Sequence, residues 1–201
     1  MADSEPRPRG RPRSEETRLA ILAAAFDVGA SDDQQDFSIA GIAARAGVSK
    51  QTVYRWWPSK ADVLMEALAH RADLQISTLD RGSYADDLQS FLGETFDVLT
   101  QPGVVSASRS LMAEAQQDHA FRARFRERFL DRRRAAFAQI VQRADARGDL
   151  PPGIDGELAA DIVFGTTWYR MLTTSRPLGD TDAAALATLL SGGRPERKAA
   201  R

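Results

Sequence analysis

Apolar residues recur at spacings of three and four along almost the whole chain, and sustained alternation of apolar and polar residues is nearly absent. The first pattern is typical of amphipathic helices, whereas the second would indicate strands. The sequence therefore predicts an all-α protein of about nine helices. We expect them at residues 14–29, 38–47, 49–57, a long helix from 59, 84–100, 104–115, 118–147, 155–174 and 181–191.

Several helix boundaries follow from residues that start or stop helices. Ser14 is the expected N-cap of the first helix. Pro58 disfavours a helical conformation of the residue before it, so the third helix should end near Trp57. Ser59 and Asp62 then match a capping box that opens the fourth helix.

Turns that contain glycine and proline divide the chain into segments. The turn at residues 80–83 separates a small helical domain from a larger one. We predict a flexible basic arm at 1–13, a helical domain at 14–80 whose last helix is a connector, a larger helical domain at 81–192 and a basic tail at 193–201.

The second and third predicted helices are short, and the turn between them contains Gly47. Such a pair buries little surface alone and must lean on its neighbours, as in a tri-helical helix-turn-helix head that binds DNA. In these heads the second helix of the pair lies in the major groove and presents its first residues to the bases. We expect Val48, Val53 and one of the two tryptophans to face inward, and the polar residues between Ser49 and Lys60 to face outward.

The candidate DNA-binding residues combine basic, hydroxyl, amide and aromatic side chains, which suit contacts to phosphates, base edges and sugars. They are Arg9, Arg11, Arg13, Ser38, Ser49, Lys50, Gln51, Thr52, Tyr54, Arg55, Trp56 and Lys60. The three arginines belong to the arm, where alternating prolines oppose helix formation. From its composition alone, the arm is either a DNA contact or a solubilising tail.

Residues 38–60, SIAGIAARAGVSKQTVYRWWPSK, closely resemble the DNA-binding signature of the TetR family of transcriptional regulators. Four features match the family signature together: the turn with Gly47, the Ser49-Lys50 start of the recognition helix, Tyr54, and the closing pair Ser59-Lys60. Two departures are a longer loop at residues 30–37 and the pair Trp56-Trp57 in place of histidine or tyrosine followed by phenylalanine. The resemblance covers about residues 14–80, and it favours a minor-groove role for the arm.

The same resemblance implies a C-terminal domain that dimerises through its last two helices and often holds a small ligand. The helix at 155–174 carries two apolar stripes, although a one-sided surface helix needs only one. A symmetric four-helix interface would bury the second stripe, and the alternative is a helix through the middle of one domain. The candidate interface residues are Leu158, Ile162, Tyr169, Leu186, Leu189 and Leu190.

A small hydrophobic or amphipathic effector would need an apolar pocket with few polar groups. The candidate lining residues are Phe96, Met112, Phe125, Trp168 and Met171, each of which core packing also explains. The helix at 118–147 carries nine arginines, but an inward apolar stripe and interspersed acids favour a solvated face over a second DNA site.

Composition narrows the function further. The chain has no cysteine and two isolated histidines, His70 and His119, so we expect no metal site and no cofactor. No nucleophile with a base and no phosphate-cradling loop appears, which argues against an enzyme. No apolar run is long enough to span a membrane, and we expect a cytoplasmic location. With a net charge of −1, affinity for DNA must come from local patches.

These observations predict a sequence-specific DNA-binding transcriptional regulator with two partners, a double-stranded operator and a second copy of itself. The resemblance favours a repressor that a small-molecule ligand releases from a pseudo-palindromic operator. Two alternatives stay open: a transcriptional activator, and a helical protein that binds a small molecule or partner and whose DNA binding is vestigial.

Overall fold

The computed structural model describes residues 11–29, 37–73, 78–174 and 176–192, which form nine helices with no strand among them. Eight are α1 (Arg11–Gly29), α2 (Ile39–Arg45), α3 (Lys50–Tyr54), α4 (Lys60–Asp73), α5 (Tyr84–Thr100), α6 (Val104–Gln117), α8 (Gly156–Thr173) and α9 (Asp180–Leu190). Helix α7 runs through His119–Phe125, a π-helical segment Arg126–Leu130 and Asp131–Arg147. The predicted all-α class is confirmed. Within the described ranges, no helix is long and apolar enough to cross a bilayer.

The first helix begins at Arg11 rather than at Ser14. The prediction that Ser14 caps this helix is therefore wrong, and so is the extended arm where it covers Arg11 and Arg13. Pro12 is compatible with the earlier start because N–H groups in the first helical turn have no intrahelical partner. Arg9 lies outside the described residues, as do residues 30–36 of the predicted loop and the predicted tail at 193–201.

The remaining helices agree closely with the sequence pattern. From α5 onward every boundary lies within two residues of its prediction. Helix α3 is shorter than expected, but turn hydrogen bonds continue past it, and the Trp57 N–H donates to the Val53 carbonyl at 3.1 Å. The chain therefore turns where Pro58 requires it to turn.

Two hydrophobic cores hold these helices together. The first joins α1–α4 to the end of α5, to α6 and to the start of α7, so the N-terminal helices are not packed as a separate unit. The second lies among α5, the C-terminal half of α7, α8 and α9. Helices α6 and α7 therefore pack directly against the helices around α3.

Three phenylalanines form a stack along α7 at the first core. The ring of Phe125 lies 5.9 Å from that of Phe121 and 5.3 Å from that of Phe129, in nearly parallel planes. The π-helical segment begins directly after Phe125, and the Asp131 N–H donates to the Arg126 carbonyl five residues back. π-Helical turns of this kind are frequent at functional sites.

A buried carboxylate joins the start of α5 to the end of α7. The side chain of Asp87 is fully buried and accepts hydrogen bonds from the guanidinium groups of Arg143 and Arg147, each at 3.0 Å. It also accepts one from the Arg81 backbone N–H at 2.6 Å. Although burial opposes its ionisation, these bonds lower the pKa of Asp87 below its ordinary value.

Candidate nucleic-acid interface and effector cavity

Helices α2 and α3 form a capped pair joined by a tight turn. The Ser38 hydroxyl accepts from the Gly41 N–H at 3.1 Å, and the Ser49 hydroxyl accepts from the Thr52 N–H at 3.2 Å. Between the helices, Gly47 has a φ of +67°, which L-residues with a Cβ rarely adopt. The Val48 N–H then closes the turn on the Ala43 carbonyl at 2.9 Å.

The two caps change the predicted roles of their serines. Both hydroxyl groups act as acceptors for the backbone of their own helix, so they fix where α2 and α3 begin. The Ser49 hydroxyl also lies 2.9 Å from the Thr52 hydroxyl. A contact from Ser38 or Ser49 to DNA stays a prediction.

One side of α3 faces the core and the other faces solvent. Val53 is fully buried on the inner side. On the outer side, Lys50, Gln51, Tyr54 and Arg55 are exposed, and Tyr54 exposes 55% of its surface. The solvent-exposed side of α3 thus carries amide, basic and aromatic groups.

The tandem tryptophans occupy two different environments, as predicted. Trp57 is buried, and its indole N–H donates to a Glu66 carboxylate oxygen at 2.7 Å. Trp56 is half-buried and packs edge-on against Trp57, with the Arg55 guanidinium 5.2 Å from its ring centroid. Glu66 also pairs with Arg18 of α1, so the end of α3 is tied to α4 and α1.

Lys60 begins α4 beside this surface. Its ammonium group donates to the Phe37 carbonyl at 3.3 Å and lies 4.9 Å from the centroid of the Phe37 ring. The side chain remains exposed. These contacts tie Phe37, two residues before α2, to the start of α4. The predicted contact of Lys60 with a phosphate is untested.

A cavity of about 340 Å³ lies among α4, α5, α6, α7 and α8. Most of its wall is apolar, including Leu68 of α4 and Phe129 of the π-helical segment. Met112, Trp168 and Met171 line it as the sequence suggested. The volume falls in the range of small-molecule sites.

Two of the suggested pocket residues lie elsewhere. Phe96 belongs to the second core and Phe125 to the first, and each is about 1% exposed. Their apolar stripes face neighbouring helices rather than the cavity. Phe125 still touches the cavity wall from behind, since its ring centroid lies 6.4 Å from that of Trp168.

Two buried hydroxyl residues were missed by sequence reasoning. Thr95 of α5 and Ser108 of α6 both line the cavity and are 3% and 4% exposed. The Thr95 hydroxyl oxygen has no hydrogen-bond partner among the described residues. An unsatisfied buried hydroxyl costs about 1–3 kcal/mol. In the sequence, the position of Thr95 within the apolar stripe of α5 was the signal that could have indicated a polar group in the cavity.

An apolar stripe on α8 and α9 faces solvent. Leu158, Tyr169 and Leu189 expose 58%, 63% and 61% of their surfaces. Ile162 and Leu186 are half-buried at its edge. Leu190 is 3% exposed inside the second core, so its suggested interface role is wrong. It follows Leu189 directly and is rotated from it by about 100° around α9, toward the core.

Comparison with known proteins decides the family. Residues 78–190 match the family model described as the tetracyclin repressor-like C-terminal domain, and residues 21–68 match that of the bacterial regulatory proteins of the tetR family. The chain belongs to the TetR family. It is therefore a helix-turn-helix transcriptional regulator that binds DNA.

Individual members of the TetR family support the assignment over most of the chain. An uncharacterized HTH-type transcriptional regulator of Bacillus subtilis, YdeS, is 32% identical over 86% of this chain and 87% of its own length. The DNA-binding transcriptional repressor TetR of Mycobacteroides abscessus is 30% identical over 84% of this chain and 88% of its own. The crystal structure of the TetR family regulator SCO0332 superposes with a TM-score of 0.74 at 27% identity, covering 89% and 98% of the two chains.

In this TetR-family chain a partly buried ion pair connects α7 to the start of α4. The guanidinium of Arg124 donates to both carboxylate oxygens of Asp62, at 2.7 and 2.9 Å. Asp62 is 2% exposed and also accepts from the Ser59 hydroxyl at 2.6 Å. The hydrogen bond to Asp62 raises the pKa of Arg124 further above its ordinary value.

The described residues contain no group of three or more histidine, aspartate or glutamate side chains that could hold a metal ion. The nine arginines of α7 include four that pair with carboxylates of this chain: Arg124, Arg134, Arg143 and Arg147. These pairs favour a structural role for those four side chains.

Proposed function

We propose that this regulator acts as a dimeric repressor whose operator complex is broken by a small molecule bound in the 340 Å³ cavity. The observation that carries the proposal is the position of that cavity. It lies against α4, the π-helical segment of α7 and Trp168, all of which pack on or near the first core that holds α3.

A continuous set of contacts supports coupling between cavity and DNA-binding surface. Phe129 and Trp168 line the cavity and pack on Phe125. The neighbouring residue, Arg124, clamps Asp62 at the start of α4. A ligand that displaces Trp168 or Phe129 would therefore move the N-terminus of α4, which follows α3 directly.

Dimerisation would set the geometry of operator recognition. The exposed apolar stripe on α8 and α9 supports a two-fold interface built from two helices of each copy. Two recognition helices about 34–36 Å apart would then enter successive major grooves of one pseudo-palindromic site.

The operator test compares two neighbours on α3. Gln51→Ala should weaken binding to the operator by about ten- to a hundredfold and relax the preference at one base pair, since an amide recognises adenine edges. Lys50→Ala should weaken binding to all sequences and reduce the slope of log affinity against log salt by about one. Footprinting and fluorescence anisotropy on the DNA upstream of the gene would measure both.

Gln89→Ala is the matched control, because Gln89 is an exposed glutamine on α5. It should leave the affinity unchanged. Unaltered affinity and specificity in both α3 variants would contradict the proposed contacts, and the lack of any protected palindrome would contradict the operator geometry.

A further inference from the structure

The polar groups of the cavity differ in whether they already have partners. Thr167 lines the cavity, but its hydroxyl donates to the Val163 carbonyl at 2.7 Å. At the cavity edge, Arg134 is paired with Asp161 at 2.6 Å and with Glu157 at 2.6 Å. The Arg133 guanidinium lies 4.9 Å from the centroid of the Phe129 ring. Positive charge near the cavity is thus met by carboxylates or an aromatic ring.

Thr95 is the exception among these groups. It is 3% exposed, it lines the cavity, and its hydroxyl oxygen has no partner among the residues the structure describes. On the same helix, Val98 and Leu99 extend the wall with apolar surface, one turn further on. Buried polar atoms without partners are rare in folded proteins, and a ligand group is one way to satisfy them.

We propose that the effector is an uncharged, mainly apolar molecule that carries one hydroxyl or carbonyl group, and that this group hydrogen-bonds Thr95. The inference rests on the proposed ligand-responsive function and specifies the chemistry of its ligand. An uncharged ligand is favoured because transfer of an ion into an apolar cavity requires a compensating charge. The charged groups at the edge already have partners, since Arg134 pairs with Asp161 and Arg133 lies over the Phe129 ring. Ser108, buried on facing α6, offers a second hydroxyl near the same space.

Three small probes of similar shape separate the alternatives. p-Cresol carries a hydroxyl group where p-xylene carries a methyl group. p-Toluate carries a negatively charged carboxylate at the same position. We expect p-cresol to bind most tightly in calorimetric titration of the full-length protein, p-xylene to bind about three- to tenfold more weakly, as for the loss of one hydrogen bond, and p-toluate to bind least.

Thr95→Val removes the hydroxyl and keeps the shape of the side chain. It should lower the affinity for p-cresol to that for p-xylene and leave the affinity for p-xylene unchanged. Thr167→Val is the matched control, since the Thr167 hydroxyl is already bonded, and it should preserve the preference for p-cresol. The melting temperature of Thr95→Val should equal or exceed that of the parent protein, because the variant loses no internal hydrogen bond.

Equal affinity for p-cresol and p-xylene would overturn the assignment of Thr95, as would loss of the preference in Thr167→Val alone. Tighter binding of p-toluate, or binding of neither neutral probe, would overturn the ligand class. Operator release is measured separately by anisotropy with each probe. If any bound probe releases the operator, the proposed function stands even when the Thr95 assignment fails.

Discussion

At the scale of single residues, the buried carboxylate of Asp87 has the largest predicted effect on stability. Its fully buried side chain is bonded to Arg143 and Arg147, and its pKa is lowered despite the opposing effect of burial. Asp87→Asn would remove the buried charge that two guanidinium groups contact, although both keep other carboxylate partners in Asp80 and Asp149. It should lower the free energy of unfolding by about 1–3 kcal/mol. Urea denaturation at neutral pH measures this loss.

The lowered pKa of Asp87 also sets a pH dependence. A carboxylate whose pKa is lower in the folded state stabilises the protein above its unfolded value of about 3.9, and this contribution is lost as the pH falls through the folded value. The parent protein should therefore lose stability on acidification below about pH 4, and Asp87→Asn should lose less. Asp97→Asn on the exposed side of α5 should retain the parent profile. An identical acid dependence in Asp87→Asn would contradict the assignment.

Residue types alone indicated which side chains face solvent, but they did not show which donors and acceptors already have partners within the chain. Tyr54 and Gln51 are exposed as predicted, because the inward positions of α3 are apolar and close in sequence. The partner of Ser49 is local, since Thr52 lies three residues on, whereas Lys60 donates to Phe37, which lies 23 positions away. A long-range partner such as Phe37 leaves no local pattern in the sequence.

At the scale of elements, the turn between α2 and α3 depends on the left-handed conformation of Gly47. A Cβ at this position would meet no atom within 4 Å, so the effect of Gly47→Ala would arise from its φ of +67° alone. We expect the variant to lose about 1–2 kcal/mol of stability and to bind operator DNA more weakly, since the turn orients α3. Thermal denaturation and anisotropy measure the two effects.

Gly93→Ala provides the comparison, because Gly93 lies inside α5 with ordinary backbone angles and open space at its Cβ. Alanine there should raise stability by about 0.5–1 kcal/mol. Equal stability changes in the two variants would show that the left-handed conformation of Gly47 does not matter.

A second prediction at this scale concerns the Arg124–Asp62 ion pair, which joins α7 to the start of α4. Arg124→Lys keeps the positive charge but loses the two-point geometry with Asp62. We expect faster hydrogen exchange at the start of α4 and in α3, and a smaller response of operator affinity to a cavity ligand. Arg176→Lys is the control, since Arg176 is exposed, pairs with Asp182 at 3.0 Å and is not among the residues that line the cavity. Unchanged exchange in Arg124→Lys would contradict the coupling.

Most element boundaries were predictable because apolar spacing, caps and prolines act locally. The start of α1 was not, since Pro12 is compatible with both an extended arm and the first turn of a helix. The π-helical segment was also missed, because an apolar spacing of four along Phe121, Phe125 and Phe129 is compatible with an ordinary helix. The cavity depends on five helices at once, so its lining could be predicted only in part.

At the scale of the whole molecule, the first core joins the DNA-binding helices to α6 and α7, and the second core leaves one face of α8 and α9 uncovered. The sequence predicted two domains in chain order, and the matched family regions follow that order. The first core crosses this division, because helices of both predicted domains contribute residues to it. In the proposed function, a signal that reaches α7 would therefore act on the DNA-binding helices through the first core.

The uncovered face predicts the assembly. Tyr169 and Leu158 are more than half exposed, and a surface of this kind favours association with a second copy. Tyr169→Glu would place a like charge on each copy in the proposed interface, and we expect it to shift the protein from dimer to monomer in sedimentation velocity experiments. Operator affinity should fall steeply, because each monomer then binds a single half-site.

Leu79→Glu is the matched control, since Leu79 is 64% exposed but precedes α5 and lies away from α8 and α9 in the chain. It should sediment as the parent protein does and bind the operator normally. If Tyr169→Glu remained dimeric while Leu79→Glu dissociated, the interface would lie near the start of α5. In that arrangement the separation of the recognition helices would be set by the segment around Leu79 rather than by α8 and α9.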